Sequence, residues 1–154
     1  MPGRTNLAEF EVNLTSDVPI QCKPYPLPHV KQNVVKQEVA AMIAMGVIEP
    51  TRSAYSSLIV LVRKKDQTHH FCIDFRRLNK VTEFVVESLP DSEYIYAKVA
   101  KAWYFTKIDL SKGYWQLPVR EADRHKFAFT TPDATYQWLV MPFEVQNAQA
   151  YFPT

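Results

Sequence analysis

Asp109 is the acidic residue whose neighbours most suggest a chemical role. It follows an apolar, β-favouring stretch over residues 103–108 and precedes a turn over residues 111–113. A carboxylate held away from water loses its charge, or costs several kcal/mol, unless a cation pairs with it. The pattern predicts a strand over residues 103–108 that ends at Asp109, a carboxylate that would need a partner if it were buried. A simpler alternative is that Asp109 caps the turn that follows it.

Positive charge is concentrated in one segment. Residues 63–80 carry six basic and two acidic side chains, a local charge of +4 in a chain whose net charge is +2. Lys64 and Lys65 stand in a polar stretch between two β-favouring runs, which indicates a hairpin tip. Flexible cations at this tip would suit phosphate groups, although lysines are also common at solvated hairpin tips.

The apolar pattern predicts two β-hairpins that would position these residues. Strands are expected over residues 58–62 and 71–75, on either side of the basic tip. A second hairpin is expected over residues 126–130 and 136–140, around Asp133 and Ala134. Both hairpins are antiparallel.

Two helices and an extended arm complete the pattern. Apolar residues spaced by three and four predict an amphipathic helix that begins near His29 and is stopped by Gly46 and Pro50. Asp91 is placed to cap a short second helix. Four prolines between residues 19 and 28 indicate an extended arm. Together these elements predict an α+β fold.

Composition excludes several classes of protein. No apolar run approaches the roughly 20 residues that span a bilayer, and the N-terminus lacks the layout of a signal peptide. Cys22 and Cys72 stand alone, without the spacing of a zinc site, so both are expected to be reduced thiols. We expect an intracellular protein, cytoplasmic or nuclear, that is not secreted and has no membrane partner.

Four stretches occur in a specific order: "GVIEPTRSAYSSLIVLVRKKD", "FCIDFRRLN", "YFTKIDLSKGYWQLPV" and "YQWLVMPFEVQNAQAYF". This order resembles the reverse transcriptases of gypsy-type LTR retrotransposon Pol polyproteins, and the resemblance runs from about Pro19 to Phe152. It implies a partial right-hand polymerase fold, with a fingers β-hairpin and the N-terminal half of the palm. Residues 1–28 would be a Pro-rich N-terminal arm, and residues 29–154 a reverse transcriptase domain with fingers and an incomplete palm.

The resemblance also implies a role for individual residues. Asp109 matches the first catalytic carboxylate, and with the carbonyl of Leu110 it would bind Mg²⁺. The residues that it assigns to the deoxynucleoside triphosphate are Lys64, Lys65, His70, Tyr114 and Phe143. Those assigned to the template are Asp74 and Arg76. The implied partners are an RNA template with a DNA primer, or an RNA–DNA hybrid. Tyr114 could instead be an ordinary core tyrosine.

The sequence departs from the family pattern at the catalytic carboxylates. Polymerases of this family carry two further aspartates in a "[YF]-x-D-D" turn, and the 154 residues contain no adjacent pair of aspartates. With one of three metal-binding carboxylates, we expect the chain alone to be inactive. Two other functions remain open: a catalytically inactive nucleic-acid-binding module, and a protein-interaction module that self-associates through an open edge of the palm. A relic without function is a further alternative.

Smaller departures affect the turns and the phosphate site. The family has glycine where this chain has Gln67, Ala134 and Glu144, and a residue with a side chain costs roughly 1 to 2 kcal/mol where φ is positive. His70 replaces an arginine, so we expect it to hold phosphate less firmly near neutral pH. Gln149 replaces a proline.

Overall fold

A computed structural model describes residues 3–86, 91–110 and 112–151. Its helices are α1 (His29–Ala44), α2 (Arg76–Lys80) and α3 (Ser92–Ala100), and its strands are β1 (Ile48–Pro50), β2 (Ser57–Arg63), β3 (His69–Asp74), β4 (Ala128–Thr130) and β5 (Thr135–Trp138). Three short 3₁₀ helices lie at Gly113–Gln116, Glu121–Phe127 and Ala148–Tyr151. The α+β class expected from the sequence is confirmed.

The five strands form one sheet in the order β1-β5-β4-β2-β3. Both expected hairpins are present as antiparallel pairs, β2 with β3 and β4 with β5, and β1 adds to the outer side of β5. The hairpins join through a parallel pairing of β2 with β4, in which Ser57 lies opposite Phe129. The sequence did not predict this junction, because alternation shows which residues form strands and not which strands meet.

Helix α1 covers one side of the core and ends as expected. Val35, Val39 and Met42 are buried, at the three- and four-residue spacing that predicted the helix. Gly46 follows the helix with φ 67°, and its N–H donates to the carbonyl of Ile43 at 2.9 Å. None of the helices in the described ranges is long and apolar enough to cross a membrane.

The N-terminal segment packs into the core. Phe10 and Val12 are buried, and the ring of Phe10 lies 5.6 Å from that of Phe127. The Phe10 N–H donates to the carbonyl of Pro118 at 2.8 Å. Residues before the proline-rich arm therefore stabilise the domain. The boundary drawn at residue 28 stays a prediction.

The prediction of a strand over residues 103–108 is wrong. These residues form neither helix nor strand, and Trp103, Tyr104 and Phe105 are 96%, 94% and 74% exposed. A strand needs a neighbour to accept and donate its backbone hydrogen bonds, and no described strand pairs with this segment. Ser111, in the turn that follows, lies outside the described residues.

Helix α3 precedes this segment and is capped as expected. The side chain of Asp91 accepts a hydrogen bond from the N–H of Glu93 at 3.1 Å. No residue of α3 is buried, although Tyr94, Ile95 and Val99 are apolar. Leu89 and Pro90, which precede the cap, lie outside the described residues. Residues 92–110 therefore form a largely exposed apolar segment.

Candidate functional site

A cavity of about 410 Å³ lies against the β2–β3 hairpin. Its walls come from β3, from the side of α1 that carries Glu38 and Met42, and from the 3₁₀ helix at Gly113–Gln116. The segment Pro142 to Glu144 closes the remaining side. Residues distant in sequence, from 38 to 144, thus meet around one space large enough for a small molecule.

Two tryptophans form the floor of this cavity. The ring centroids of Trp115 and Trp138 lie 6.0 Å apart, and Phe143 packs 5.7 Å from Trp115. Both indoles are more than nine-tenths buried, and neither ring N–H has a hydrogen-bond partner in the described part of the chain. A buried donor without a partner costs free energy. Each indole is thus a buried donor without a partner within the described residues, beneath a cavity that both rings line.

Cations and carboxylates both line the cavity. Lys64 reaches it from the hairpin tip, and Lys112 reaches it from the turn before the 3₁₀ helix. The Lys112 Nζ lies 4.5 Å from the centre of the Trp115 ring, a cation–π contact. Glu38 and Glu144 supply negative charge to the same walls. An anion in this cavity would meet attraction from two lysines and repulsion from two carboxylates.

Three of the predicted nucleotide-binding residues meet here. Lys64, His70 and Phe143 line the same cavity, although they come from different parts of the chain. Tyr114 lies beside it, with its ring 5.5 Å from that of Phe143, and lines a second cavity of about 290 Å³. Tyr114 is half-buried against the core, so the two interpretations of this residue are compatible. Lys65 is exposed at the hairpin tip.

The predicted template residues bind one another. The Arg76 guanidinium donates from Nε to Asp74 Oδ1 at 2.9 Å and from Nη2 to Oδ2 at 2.7 Å. The hydrogen bond from the Arg76 side chain holds the pKa of Asp74 below its usual value. This pair fixes the start of α2 and leaves the Arg76 side chain largely exposed. Template contact by these two residues stays a prediction.

Asp109 does not form a metal site with its neighbours. It is exposed, as is Leu110, and both lie outside the two cavities. Within residues 3–86, 91–110 and 112–151, no three His, Cys, Asp or Glu side chains are placed to hold a metal ion. Mg²⁺ needs several oxygen ligands at fixed positions. The described residues therefore do not fit a two-metal centre.

Two of the three positions where the family has glycine adopt the backbone geometry that favours it. Gln67 has φ 70° and Glu144 has φ 64°, whereas Ala134 is not among the residues with positive φ. The backbone of Glu144 is held in place, because Asn79 Nδ2 donates to its carbonyl at 2.9 Å. The expected strain thus applies at Gln67 and Glu144 and not at Ala134.

Sequence reasoning missed Lys112 and Asp123. Lys112 seemed only a turn residue, and its contact with Trp115 depends on its left-handed backbone, φ 50°. Asp123 is fully buried and binds Arg120 and Lys126, three residues before and after it. That i±3 spacing of opposite charges was visible in the sequence and could have indicated an ion-pair cluster.

Comparisons relate the chain to known proteins. A family model described as "Reverse transcriptase (RNA-dependent DNA polymerase)" matches residues 62–153. The chain is 34% identical over 147 residues to the retrovirus-related Pol polyprotein from transposon opus of Drosophila melanogaster. This alignment covers 92% of this chain and 15% of that protein. It is also 34% identical over 147 residues to the transposon Tf2-3 polyprotein of Schizosaccharomyces pombe, covering 94% of this chain and 11% of that one.

A solved structure shows the same fold. The foamy viral protease-reverse transcriptase in complex with RNA/DNA hybrid matches with a TM-score of 0.80 and 20% identity, over 99% of this chain and 20% of that chain. The chain thus spans a fifth or less of the length of these three proteins.

Proposed function

This chain belongs to the reverse transcriptase (RNA-dependent DNA polymerase) family, and we propose that residues 1–154 form a nucleotide- and nucleic-acid-binding part of such an enzyme without polymerase activity of their own. The cavity is the observation that supports binding. It joins Lys64 and His70 of the hairpin to Phe143, all three assigned to the nucleotide by the family resemblance.

The cavity has the chemistry that a nucleoside triphosphate requires. The aromatic floor and Phe143 offer faces on which a base can pack, and Lys64 and Lys112 offer charge to phosphates. Binding would need no metal site within the described residues.

The position of Asp109 supports the proposed lack of polymerase activity. Nucleotidyl transfer by this family uses divalent metal ions to neutralise charge in the transition state. Asp109 is exposed and has no described group of carboxylates around it, so the described residues supply no defined position for Mg²⁺.

The nucleic-acid partner is supported by the basic hairpin. Three exposed cations lie along or beside β2 and β3: Lys64, Lys65 and Arg76. One similar solved structure is a complex with an RNA/DNA hybrid. Exposed cations on a hairpin would contact the phosphate backbone and give affinity that depends on salt. An RNA–DNA hybrid is therefore the first ligand to test.

A primer-extension assay with the purified 154-residue chain, Mg²⁺ and a primed RNA template tests the proposal. We expect no extension above a control without protein, together with measurable binding of the hybrid by fluorescence anisotropy. Extension that is lost in Asp109→Asn would overturn the proposed lack of activity. Absence of both extension and hybrid binding would remove the binding role.

Self-association is a second candidate, supported by a different observation. Residues 92–110 expose apolar side chains in succession, and Trp103 and Tyr104 are almost fully accessible. Exposed apolar surface of this kind favours association with another protein surface. This role does not require the cavity.

A further inference from the structure

Glu144 lies at the boundary between the two cavities. Its side chain lines both the cavity of about 410 Å³ and the neighbouring one of about 290 Å³. Its backbone has φ 64°, and the hydrogen bond from Asn79 to its carbonyl holds it there. A glycine would adopt this backbone without strain, so the side chain is present at some cost to stability.

The charge of Glu144 acts on groups in the cavity wall. The pKa of the Cys72 thiol, which lines the same cavity, is raised first by burial and second by the negative charge of Glu144. Lys64 and Lys112 line the cavity as the cations available to an anion. A carboxylate among them partly cancels their attraction for phosphate.

We propose that Glu144 is a specificity-determining residue that weakens the binding of polyphosphate groups in this cavity. The proposal rests on the proposed function, because it takes the cavity as the nucleotide site. Through Glu144, the chain would discriminate against the most highly charged ligands and hold less charged ones comparatively well. The other carboxylate in the cavity, Glu38, lies on α1 and contributes in the same direction.

The tryptophans of the cavity provide a direct readout of binding. The chain has three tryptophans, and two of them, Trp115 and Trp138, line the cavity. Trp103 is 96% exposed, so Trp103→Phe removes the signal that is unrelated to the cavity. In this background the tryptophan fluorescence comes only from Trp115 and Trp138, both of which line the cavity.

The experiment titrates inorganic tripolyphosphate into the Trp103→Phe protein and into three further variants in the same background. Glu144→Gln removes the charge and keeps a side chain of similar size, whereas Glu144→Gly removes the charge and the backbone strain together. Glu121→Gln is the matched control, because it makes the same change in net charge at an exposed residue outside the cavity. Circular dichroism checks that every variant is folded.

We expect Glu144→Gln to bind tripolyphosphate roughly three- to tenfold more tightly than the parent, since removing an exposed like charge from the wall of the cavity has an effect of this order. Glu144→Gly should bind at least as tightly, and Glu121→Gln should match the parent. Tighter binding in Glu144→Gly alone would assign the effect to the backbone and overturn the proposal.

The remaining outcomes separate this inference from the proposed function. Equal affinity of the parent and Glu144→Gln, with binding in both, would overturn the role of Glu144 and leave the cavity as an anion site. A fluorescence signal that no concentration of tripolyphosphate changes, in any folded variant, would overturn both the role of Glu144 and the assignment of the cavity to the nucleotide.

Discussion

The Nζ of Lys126 lies 2.7 Å from Oδ1 of Asp123, a carboxylate that is fully buried. Arg120 binds the second oxygen of this carboxylate at 2.8 Å, and the N–H of Val12 donates to the same oxygen at 3.3 Å. Lys126 also donates to the carbonyl of Val12 at 3.1 Å. Asp123 therefore links the N-terminal segment to the 3₁₀ helix at Glu121–Phe127.

Replacing the carboxylate should destabilise the domain. Asp123→Asn removes the negative charge that Lys126 and Arg120 share, and we expect a loss of about 2 kcal/mol in the free energy of unfolding, measured by urea denaturation. Asp133→Asn is the matched control, because Asp133 is exposed and its ion pair with Lys36 is 3.7 Å long. Equal small losses in the two variants would contradict a structural role for Asp123.

The free energy of unfolding should also decrease in acid, because Asp123 then becomes protonated. Burial raises the pKa of Asp123, but the hydrogen bonds from Lys126 and Val12 and the charges of Lys126 and Arg120 outweigh burial and hold the pKa below its usual value. A depressed pKa contributes stability that is fully present above about pH 4, the usual pKa of an aspartate, and is lost as the pH falls through the lower folded value. We expect urea midpoints to decrease below about pH 4, with a smaller decrease in Asp123→Asn. Parallel pH profiles for the two proteins would disprove this.

Backbone strain predicts opposite effects for two substitutions to glycine. Gln67→Gly should stabilise the protein by about 0.5 to 1 kcal/mol, because φ at this position is 70° and glycine adopts it without a steric penalty. Ala134→Gly lacks this gain and should be neutral or destabilising by up to about 1 kcal/mol, since glycine loses more entropy on folding. Thermal melts of both variants against the parent protein provide the measurement, and stabilisation by Ala134→Gly would show that the argument fails.

The basic hairpin tip should govern affinity for nucleic acid. We expect the double variant Lys64→Ala and Lys65→Ala to weaken binding of an RNA–DNA hybrid and to reduce the slope of log affinity against log salt by about 2, roughly one per phosphate contact. Lys23→Ala, which removes an exposed lysine from the N-terminal arm, serves as the control. Anisotropy titrations at several salt concentrations measure both quantities. A salt slope unchanged in the double variant would place the nucleic acid elsewhere.

The exposed apolar segment should control self-association. We expect the chain to form dimers or larger species at high concentration, and Trp103→Lys with Phe105→Lys to return it toward the monomer, because both side chains are mainly exposed. Leu7→Lys is the control, because Leu7 is an apolar residue outside this segment that is 92% exposed. It tests whether the same change at any exposed apolar residue has the same effect. Size-exclusion chromatography with light scattering measures the mass. A monomeric parent protein at all concentrations would leave this role without support.

Local patterns were sufficient to predict most of the elements. Both hairpins, helix α1 and the cap at Asp91 were found as expected, because each depends on residues close together in the sequence. The strands of the second hairpin are shorter than expected, since residues 126–127 belong to a 3₁₀ helix and β5 ends at Trp138. The order of the four stretches likewise identified the family, which the family model confirms. The left-handed backbone at Gln67 could also be anticipated from its place in a hairpin tip.

Residues 103–108 show where local patterns fail. Their β-favouring side chains predicted a strand, but a strand forms only where another strand can satisfy its backbone, and the described residues provide none beside it. Asp109 consequently stands in exposed chain rather than at the edge of a sheet. The catalytic role that the resemblance assigned to it stays a prediction.

The sequence by itself determined the two hairpins, the helices α1 and α3 and the family, because these depend on neighbouring residue types and on their order. Only the tertiary structure decided that β2 pairs in parallel with β4, that Asp123 is buried, and that Lys112 and Glu144 share a cavity with Lys64. Each of these relationships depends on how the whole core packs. Packing brings distant parts of the chain into contact, and it also selects backbone angles. Periodicity and composition contain no information about such contacts.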